Sequence, residues 1–158
     1  MGTFRYVSPV GDMFISANGG FVTELYFDGG ITTPKSLKES EAAPEDAAVL
    51  NALSKELDAY FAGTLKEFTV PLKPEGTEFR KKVWQALQTI PYGETISYKE
   101  LALRINNPKA IRAVGGANHH NPISIIIPCH RVIGANGKLV GYGGGMNVKE
   151  FLLKHEAK

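Results

Sequence analysis

The sequence contains a single cysteine, Cys129, and this limits how the chain can be held together. One thiol forms neither an internal disulfide nor a multi-cysteine zinc site, so the fold must rest on a hydrophobic core. A length of 158 residues with 43% hydrophobic residues is sufficient for such a core. The four histidines do not suggest a metal site, because two are adjacent and the other two lie far apart. We therefore expect no metal and no other cofactor.

Cys129 follows an apolar segment and precedes two basic side chains. The three isoleucines at 125–127 predict a short buried strand, which Pro128 ends because proline donates no ladder hydrogen bond. Beside the thiol, the imidazole of His130 and the guanidinium of Arg131 make a cationic setting that favours the thiolate. A free cysteine is more often a small buried hydrophobic residue. Here the neighbouring side chains favour a reactive nucleophile.

The first half of the chain is predicted to be an antiparallel β-meander followed by a helix. Segments rich in aromatic and β-branched residues predict strands at 3–7, 12–17 and 21–27. The sequence Asn-Gly-Gly at 18–20 supplies positive φ angles for a hairpin. From about Pro44, apolar residues recur at helical spacing, and Gly63 stands where a C-terminal cap is expected. No nucleophile, base and donor come together here, so we interpret this half as a scaffold.

The second half is predicted to be mostly helical. Thr77 can cap a first helix, and Ser97 with Glu100 forms a capping box for a second. A proline at the first helical position predicts a third helix at 108–114, which the two glycines at 115–116 would end. Two short helices across a short turn are typical of a helix-turn-helix.

Prolines and a glycine at 71–76 predict a boundary between an N-terminal scaffold (1–73) and a C-terminal subdomain (74–158). Residues 1–75 carry 6 Lys/Arg and 11 Asp/Glu, whereas residues 76–158 carry 12 and 5. The predicted fold class is α/β, more specifically α+β: a meander with a helix, then a helical subdomain that contains the helix-turn-helix and the cysteine. The basic half is the expected polyanion binder, although such an imbalance can also serve solubility alone.

The predicted helix-turn-helix leads directly to the cysteine. Lys109 and Arg112 share a face that suits DNA phosphates, although a solvated cationic face gives the same pattern. A transcription factor needs no reactive thiol behind its recognition helix. An enzyme that acts on a base must both bind DNA and present chemistry to an extruded nucleotide.

Six glycines surround Tyr142 within residues 134–145. No Lys-Ser/Thr pair follows, so the stretch is not a P-loop. Bare backbone can approach a flat ligand, which favours a wall or lid of a base-sized pocket over a simple hairpin loop. Asn147 and Glu150 predict a capping box for the last helix, near whose end Glu156 can serve as the partner of an imidazole.

The runs that carry a family resemblance are Ile96-Ser97-Tyr98, Asn107-Pro108-Lys109-Ala110, Arg112-Ala113-Val114-Gly115-Gly116, Asn121-Pro122, Ile127-Pro128-Cys129-His130-Arg131-Val132 and Val148-Lys149-Glu150. In this order they closely resemble the O6-alkylguanine-DNA alkyltransferases, also called methylated-DNA:protein-cysteine methyltransferases. The resemblance implies direct-reversal DNA repair, in which the alkyl group of a flipped O6-alkylguanine passes to the cysteine. O4-alkylthymine is a second candidate lesion.

The resemblance also implies a role for each matching residue. Cys129 would be the acceptor, His130 the base that acts on it through water, and Glu156 the group that orients the imidazole. Tyr98 would donate to the departing guanine, and Asn121 would tie the recognition helix to the active-site strand. The implied DNA contacts are Arg112, as the finger that replaces the flipped base, with Lys109, Ala113, Gly115, Arg131 and Ser97. The implied pocket lining is Val132, Tyr142, Gly143 and Gly144.

The product and the alternatives follow from the same chemistry. An S-alkylcysteine has no good leaving group, so each molecule should act once. Gly143 stands where some family members place a serine hydroxyl, so a backbone N–H would have to replace that donor. A non-catalytic lesion-binding protein of the alkyltransferase-like kind lacks the cysteine, a transcriptional regulator needs a further module, and a Cys-His hydrolase would turn over without DNA.

The sequence also predicts where the protein acts. No apolar run approaches the roughly 18 residues of a membrane span, and the first residues lack the apolar segment of a signal peptide. We expect a cytoplasmic monomer that binds double-stranded DNA containing O6-alkylguanine and no membrane.

Overall fold

The computed structural model describes residues 1–134, 142 and 144–158, and it confirms the α+β fold class. The first half contains three antiparallel strands in the order β1 (Gly2–Ser8), β2 (Gly11–Asn18) and β3 (Phe21–Phe27). Gly19 and Gly20 form the hairpin loop between β2 and β3, with φ angles of 60° and 84°. The predicted meander is therefore confirmed.

Helix α1 (Pro44–Phe61) packs its apolar face on this sheet. Leu50, Leu53 and Leu57 are fully buried at the spacing that the sequence pattern predicts. Gly63, with a φ of 82°, follows the helix C-terminus, as expected. None of the helices in the described ranges, α1 included, is long and apolar enough to cross a bilayer.

The second half contains four helices and a two-stranded parallel sheet within the described residues. The elements are α2 (Glu78–Leu87), β4 (Ile96–Ser97), α3 (Tyr98–Arg104), α4 (Ile111–His119), β5 (Val132–Ile133) and α5 (Met146–Glu156). Helices α3 and α4 pack together as the helix-turn-helix. The Thr77 and Ser97 side chains accept the capping hydrogen bonds, at 3.2 and 3.1 Å. Glu100 instead pairs with Arg104 at 3.4 Å, so the reciprocal half of the capping box is wrong.

Two helix boundaries differ from the prediction. Helix α4 begins at Ile111 rather than at residue 108, and it continues through both glycines to His119. A helical glycine costs only about 1 kcal/mol, which packing of α4 against α2 and α3 can offset. Helix α5 begins directly after Gly145, whose φ is 100°, so Asn147 lies inside the helix and does not cap it.

The two halves meet along the free edge of β3. Val22 exchanges backbone hydrogen bonds with Pro71 and Lys73, each of 2.8 Å, and Leu25 forms a parallel bridge with Ile123. The stretch between the halves is thus bound to the sheet, and the same strand receives the segment that leads to Cys129.

The strand predicted at 125–127 is wrong. Ile126 donates to the carbonyl of Ser124 at 2.8 Å and Ile127 to that of Ile123 at 3.1 Å, which are turn bonds rather than ladder bonds. Ile125 has a φ of 72°, a rare conformation for a β-branched residue. Residues 122–124 pair with Leu25 of β3, and the chain then turns sharply, which directs the following cysteine inward.

Candidate active site

Cys129 opens a single 3₁₀ turn, Cys129–Arg131, and is 5% exposed. Asn121 braces the preceding turn: its Nδ2 donates to the carbonyl of Ile127 at 2.7 Å, and its Oδ1 accepts from the amide of Ile123 at 2.9 Å. From α4, Asn118 Nδ2 donates to the carbonyl of Cys129 at 3.4 Å. These two buried amides connect the end of α4 to the turn that carries the thiol.

Glu156 is the centre of a buried hydrogen-bond network. Its Oε2 lies 2.7 Å from His130 Nε2 and 2.6 Å from the hydroxyl of Tyr60. Arg131 donates from Nε to Oε1 at 2.8 Å and from Nη2 to Oε2 at 3.1 Å, while its Nη1 donates to the carbonyl of Ile90 at 2.7 Å. Burial alone would raise the pKa of Glu156, but His130 and Arg131 outweigh it and hold that pKa well below its usual range. Glu156 is therefore a carboxylate at neutral pH.

The expectation that the neighbours of Cys129 favour the thiolate is wrong for the protein without substrate. Burial raises the pKa of the Cys129 thiol to about 11 and lowers that of His130, although Glu156 opposes the second effect. Arg131, part of the expected cationic setting, is directed at Glu156 instead. Both the thiol and the imidazole are therefore neutral at rest, as a nucleophile and a general base should be before proton transfer.

Several groups are nonetheless placed to stabilise a thiolate. The side chain of Asn121, the charge of Lys149, and the backbone N–H groups of Cys129 and His130 all oppose the rise in the Cys129 pKa. Lys149 is fully buried and donates from Nζ to the carbonyl of Val132 at 2.7 Å. Burial lowers its pKa to about 8.

The buried position of Lys149 was not predicted, although the spacing of residues along α5 indicates it. Lys149 lies three residues before Leu152 and seven before Glu156, which places all three on one face of α5. That face is buried, so its lysine had to be buried as well.

Of the four residues expected to line a pocket, Val132, Tyr142 and Gly144 lie in the described part of the chain. Tyr142 is buried, with its ring centroid 6.5 Å from that of His130 and 5.9 Å from that of Phe27 in β3. A Cβ atom built on Gly144 would lie 2.6 Å from the Phe27 ring, so only glycine fits there. Burial raises the pKa of Tyr98, a side-chain hydrogen bond with Asn118 lowers it, and the charge of a Cys129 thiolate would raise it. The expected lining residue Val132 is fully buried, and Gly143 lies outside the described residues.

The residues expected at DNA are divided between the surface and the interior. Arg112 and Ala113 are exposed on α4, whereas Lys109 is exposed in the turn before it and does not share a helix face with Arg112. Gly115 faces the ring of Tyr98, 3.8 Å from where a Cβ would lie, while the neighbouring Gly116 is exposed and open.

Ser97 and Arg131 both form hydrogen bonds within the protein. Ser97 is used as the cap of α3. The DNA contact expected of Arg131 is corrected, because its guanidinium is buried and is hydrogen-bonded to Glu156 and the carbonyl of Ile90. No group of three or more side chains suited to a metal occurs among the described residues.

Comparison with protein families identifies the class that this fold and site represent. Residues 5–74 match the model of the 6-O-methylguanine DNA methyltransferase, ribonuclease-like domain. Residues 78–158 match that of the 6-O-methylguanine DNA methyltransferase, DNA binding domain. The chain belongs to the 6-O-methylguanine DNA methyltransferase family.

Individual relatives extend over nearly the whole chain. A methylated-DNA–protein-cysteine methyltransferase of Methanosarcina acetivorans is 51% identical over 96% of this chain and 95% of its own length. One of Mycobacterium leprae is 51% identical over 94% of this chain and 88% of its own. The crystal structure of Mycobacterium tuberculosis OGT in complex with DNA superposes with a TM-score of 0.86 at 48% identity, covering 97% of this chain and 91% of that one.

Proposed function

We propose that this protein repairs double-stranded DNA by direct reversal, moving the O6-alkyl group of a flipped O6-alkylguanine onto its own Cys129. Membership of the family supports the reaction, and the geometry supports the choice of residues. The observation that carries the proposal is the buried series of thiol, imidazole and carboxylate directly behind the helix-turn-helix. This is the arrangement of nucleophile, base and orienting group.

Proton transfer from the thiol begins the reaction. His130 binds Glu156 through Nε2, so Nδ1 is the atom left to accept the proton; within the described residues it has no hydrogen-bond partner. Because Cys129 and His130 are adjacent in the chain, a water molecule would carry the proton between their side chains. Glu156 then stabilises the imidazolium, while Asn121 and Lys149 stabilise the thiolate.

Displacement at the alkyl carbon follows. The sulfur attacks, an S–C bond forms as the C–O bond breaks, and the electron pair of that bond stays on guanine O6. Tyr98 donates a proton to the departing guanine, and the proton that His130 took from the thiol then replaces it on Tyr98. Overall, an alkylguanine and a thiol become guanine and an S-alkylcysteine. Water does not hydrolyse the thioether, because it has no good leaving group, so each protein molecule repairs one lesion.

Helix α4 presents this centre to DNA. Arg112 enters the base stack in place of the extruded guanine, and α4 lies in the minor groove, where exposed small residues such as Ala113 and Gly116 permit close approach. Lys109 contacts a backbone phosphate from the turn before α4. The protein acts as a monomer in the cytoplasm, without a cofactor.

A duplex oligonucleotide with a radiolabelled methyl group on one guanine O6 tests the proposal. We expect about one labelled methyl group per protein molecule, and none on a Cys129→Ser variant that binds the same duplex. The peptide that contains residue 129 should carry the label. Label released to water would indicate a hydrolase, and label retained on DNA by bound protein would indicate lesion binding alone; either result would overturn the proposal.

A further inference from the structure

The N-terminal half, interpreted from its sequence as a scaffold, contributes a side chain to the network around Glu156. Tyr60 lies in the last turn of α1 and is fully buried. Its hydroxyl donates to Glu156 Oε2 at 2.6 Å, across a separation of 96 residues. The same oxygen lies 2.7 Å from His130 Nε2. Tyr60 from the first half therefore shares this carboxylate oxygen with His130 and Arg131 from the second half.

Other contacts hold both partners of this hydrogen bond in place. The carbonyl oxygen of Tyr60 accepts a hydrogen bond from His155 Nε2 at 2.6 Å, so the ends of α1 and α5 are joined twice. The Tyr60 ring packs edge-on against Tyr92, with centroids 6.2 Å apart. Arg131 binds both oxygens of Glu156. Because Arg131 already fixes the orientation of the carboxylate, the Tyr60 hydroxyl chiefly affects the charge on Oε2.

We propose that Tyr60 is a positioning residue for alkyl transfer, which acts through Glu156 by sharing Oε2 with His130. A hydrogen bond donated to a carboxylate draws on its negative charge. Glu156 then attracts a proton on His130 less strongly, so the imidazole stays neutral and able to accept the thiol proton. This inference rests on the proposed alkyl-transfer function, and it makes the N-terminal half part of the proton-transfer apparatus.

Other charged and titratable groups also lie near His130 and Glu156 and affect their pKa values. Those that face His130 are Glu156, Arg131, Lys149, Tyr142 and Cys129, and those that face Glu156 besides Tyr60 are His130, Arg131, Tyr92 and Tyr142. All of them stay in place when a single hydroxyl is removed from Tyr60. A change in pH dependence can then be attributed to that hydroxyl.

The test is the pH dependence of the reaction of Tyr60→Phe with free O6-benzylguanine, for which no base has to be extruded from DNA. With one donor fewer on Glu156, the acidic limb of the rate profile should move to higher pH by about 0.5 unit. At a pH below the limb, the rate should therefore be about threefold lower than in the wild type. The matched control is Tyr6→Phe, which removes a 2.7 Å hydrogen bond to Asp58 on the same helix, away from Glu156. Its limb should coincide with that of the wild type.

A uniform loss of rate at every pH, an unmoved limb or a limb moved to lower pH would overturn the role of Tyr60. Replacement of Tyr60 by 3-fluorotyrosine, a stronger donor that keeps the ring, should move the limb to lower pH and serves if the phenylalanine variant does not fold. An unmoved or raised limb in that variant would also overturn the inference. Wild-type protein that takes up no benzyl group would instead reject the proposed function, so the two failures are distinguishable.

Discussion

The two halves of the molecule are built differently. In the first half, long strands and one 18-residue helix follow the local pattern of apolar residues, and their ends lie close to where that pattern places them. In the second half, helices α3 and α4 contain only 7 and 9 residues, and the segment that carries Cys129 consists of turns. The first half provides a rigid framework, and the second half positions its reactive side chains where regular backbone hydrogen bonding ends.

The difference is not a division between scaffold and site. Tyr60 and Phe27, both from the regular half, contact Glu156 and Tyr142 respectively. A rigid sheet and helix are suited to this role because they hold a supporting side chain in one position. Substitutions in each half can therefore test whether the stability of the protein and the rate of alkyl transfer depend on different residues.

The largest effect is expected where stability and reactivity coincide, at Glu156. Glu156→Gln leaves Arg131 with an uncompensated buried charge, which should lower the free energy of unfolding by about 3–5 kcal/mol. Alkylation by O6-benzylguanine should slow by about 100-fold or more, because the imidazolium loses its counter-charge. Urea denaturation and single-turnover kinetics measure the two effects. Glu150→Gln, on the exposed side of α5, should leave stability nearly unchanged.

A core change in the regular half should separate the two properties. Leu53→Ala removes a fully buried side chain of α1 and should cost about 2–5 kcal/mol of stability. The alkylation rate of the folded fraction should stay within about twofold of the wild type, because the apolar side chain of Leu53 supplies no hydrogen bond or charge to Cys129, His130 or Glu156. A comparable loss of rate would show that the core of the first half also controls reactivity.

Acid should destabilise the protein through Glu156. Because the folded pKa of Glu156 lies below its ordinary value of 4.5, its contribution is fully present above that pH and is lost as pH falls toward the folded pKa. We expect a loss of about 1.4 kcal/mol per pH unit from this group over that interval. Unfolding free energies measured from about pH 5 to pH 2 should show this slope, and it should be absent in Glu156→Gln.

Lys149→Met should affect reactivity more than folding. The ammonium group lowers the energy of the Cys129 thiolate, so its loss should slow alkylation at neutral pH by about 10-fold to 100-fold. Lys154→Met, on the exposed side of the same helix, is the matched control and should react at the wild-type rate. Thiol alkylation kinetics against pH measure both variants, and equal rates would contradict the role of Lys149.

The smallest effect is expected at Arg112, and only with duplex DNA. Arg112→Ala should react with O6-methylguanine in a duplex about 10-fold more slowly, while its reaction with free O6-benzylguanine should change little. Lys109→Ala should weaken duplex binding and reduce its salt dependence, without this difference between substrates. Equal losses with both substrates would contradict insertion of Arg112 into the base stack.

Local sequence predicted most of the fold because most elements are specified locally. The hairpin at 18–20, the ends of α1 and the caps at Thr77 and Ser97 each depend on side chains within a few residues of the position concerned. The errors occurred where distant contacts decide. Residues 125–127 have strand propensity, but the pairing with the edge of β3 is made by residues 122–124, and the chain then turns.

The site was predicted in part for the same reason. The run around Cys129 predicts a nucleophile and its base, and the predicted pairing of His130 with Glu156, 26 residues away, is present in the structure. The inward direction of Arg131 had no local signal, because it depends on where the end of α5 packs. The suggestion that the neighbours of Cys129 lower its pKa also failed, since burial is a property of the whole fold.

By itself, the sequence determined most of the elements, the caps at Thr77 and Ser97, the reactive segment and the class of reaction, because these depend on residue type and short-range order. Only the tertiary structure decided which groups are neutral, which arginine points inward and which tyrosine from the first half reaches Glu156. The reason is physical: pKa values and hydrogen-bond partners in a buried site depend on desolvation and on atoms brought together from positions as distant in the chain as 60 and 156.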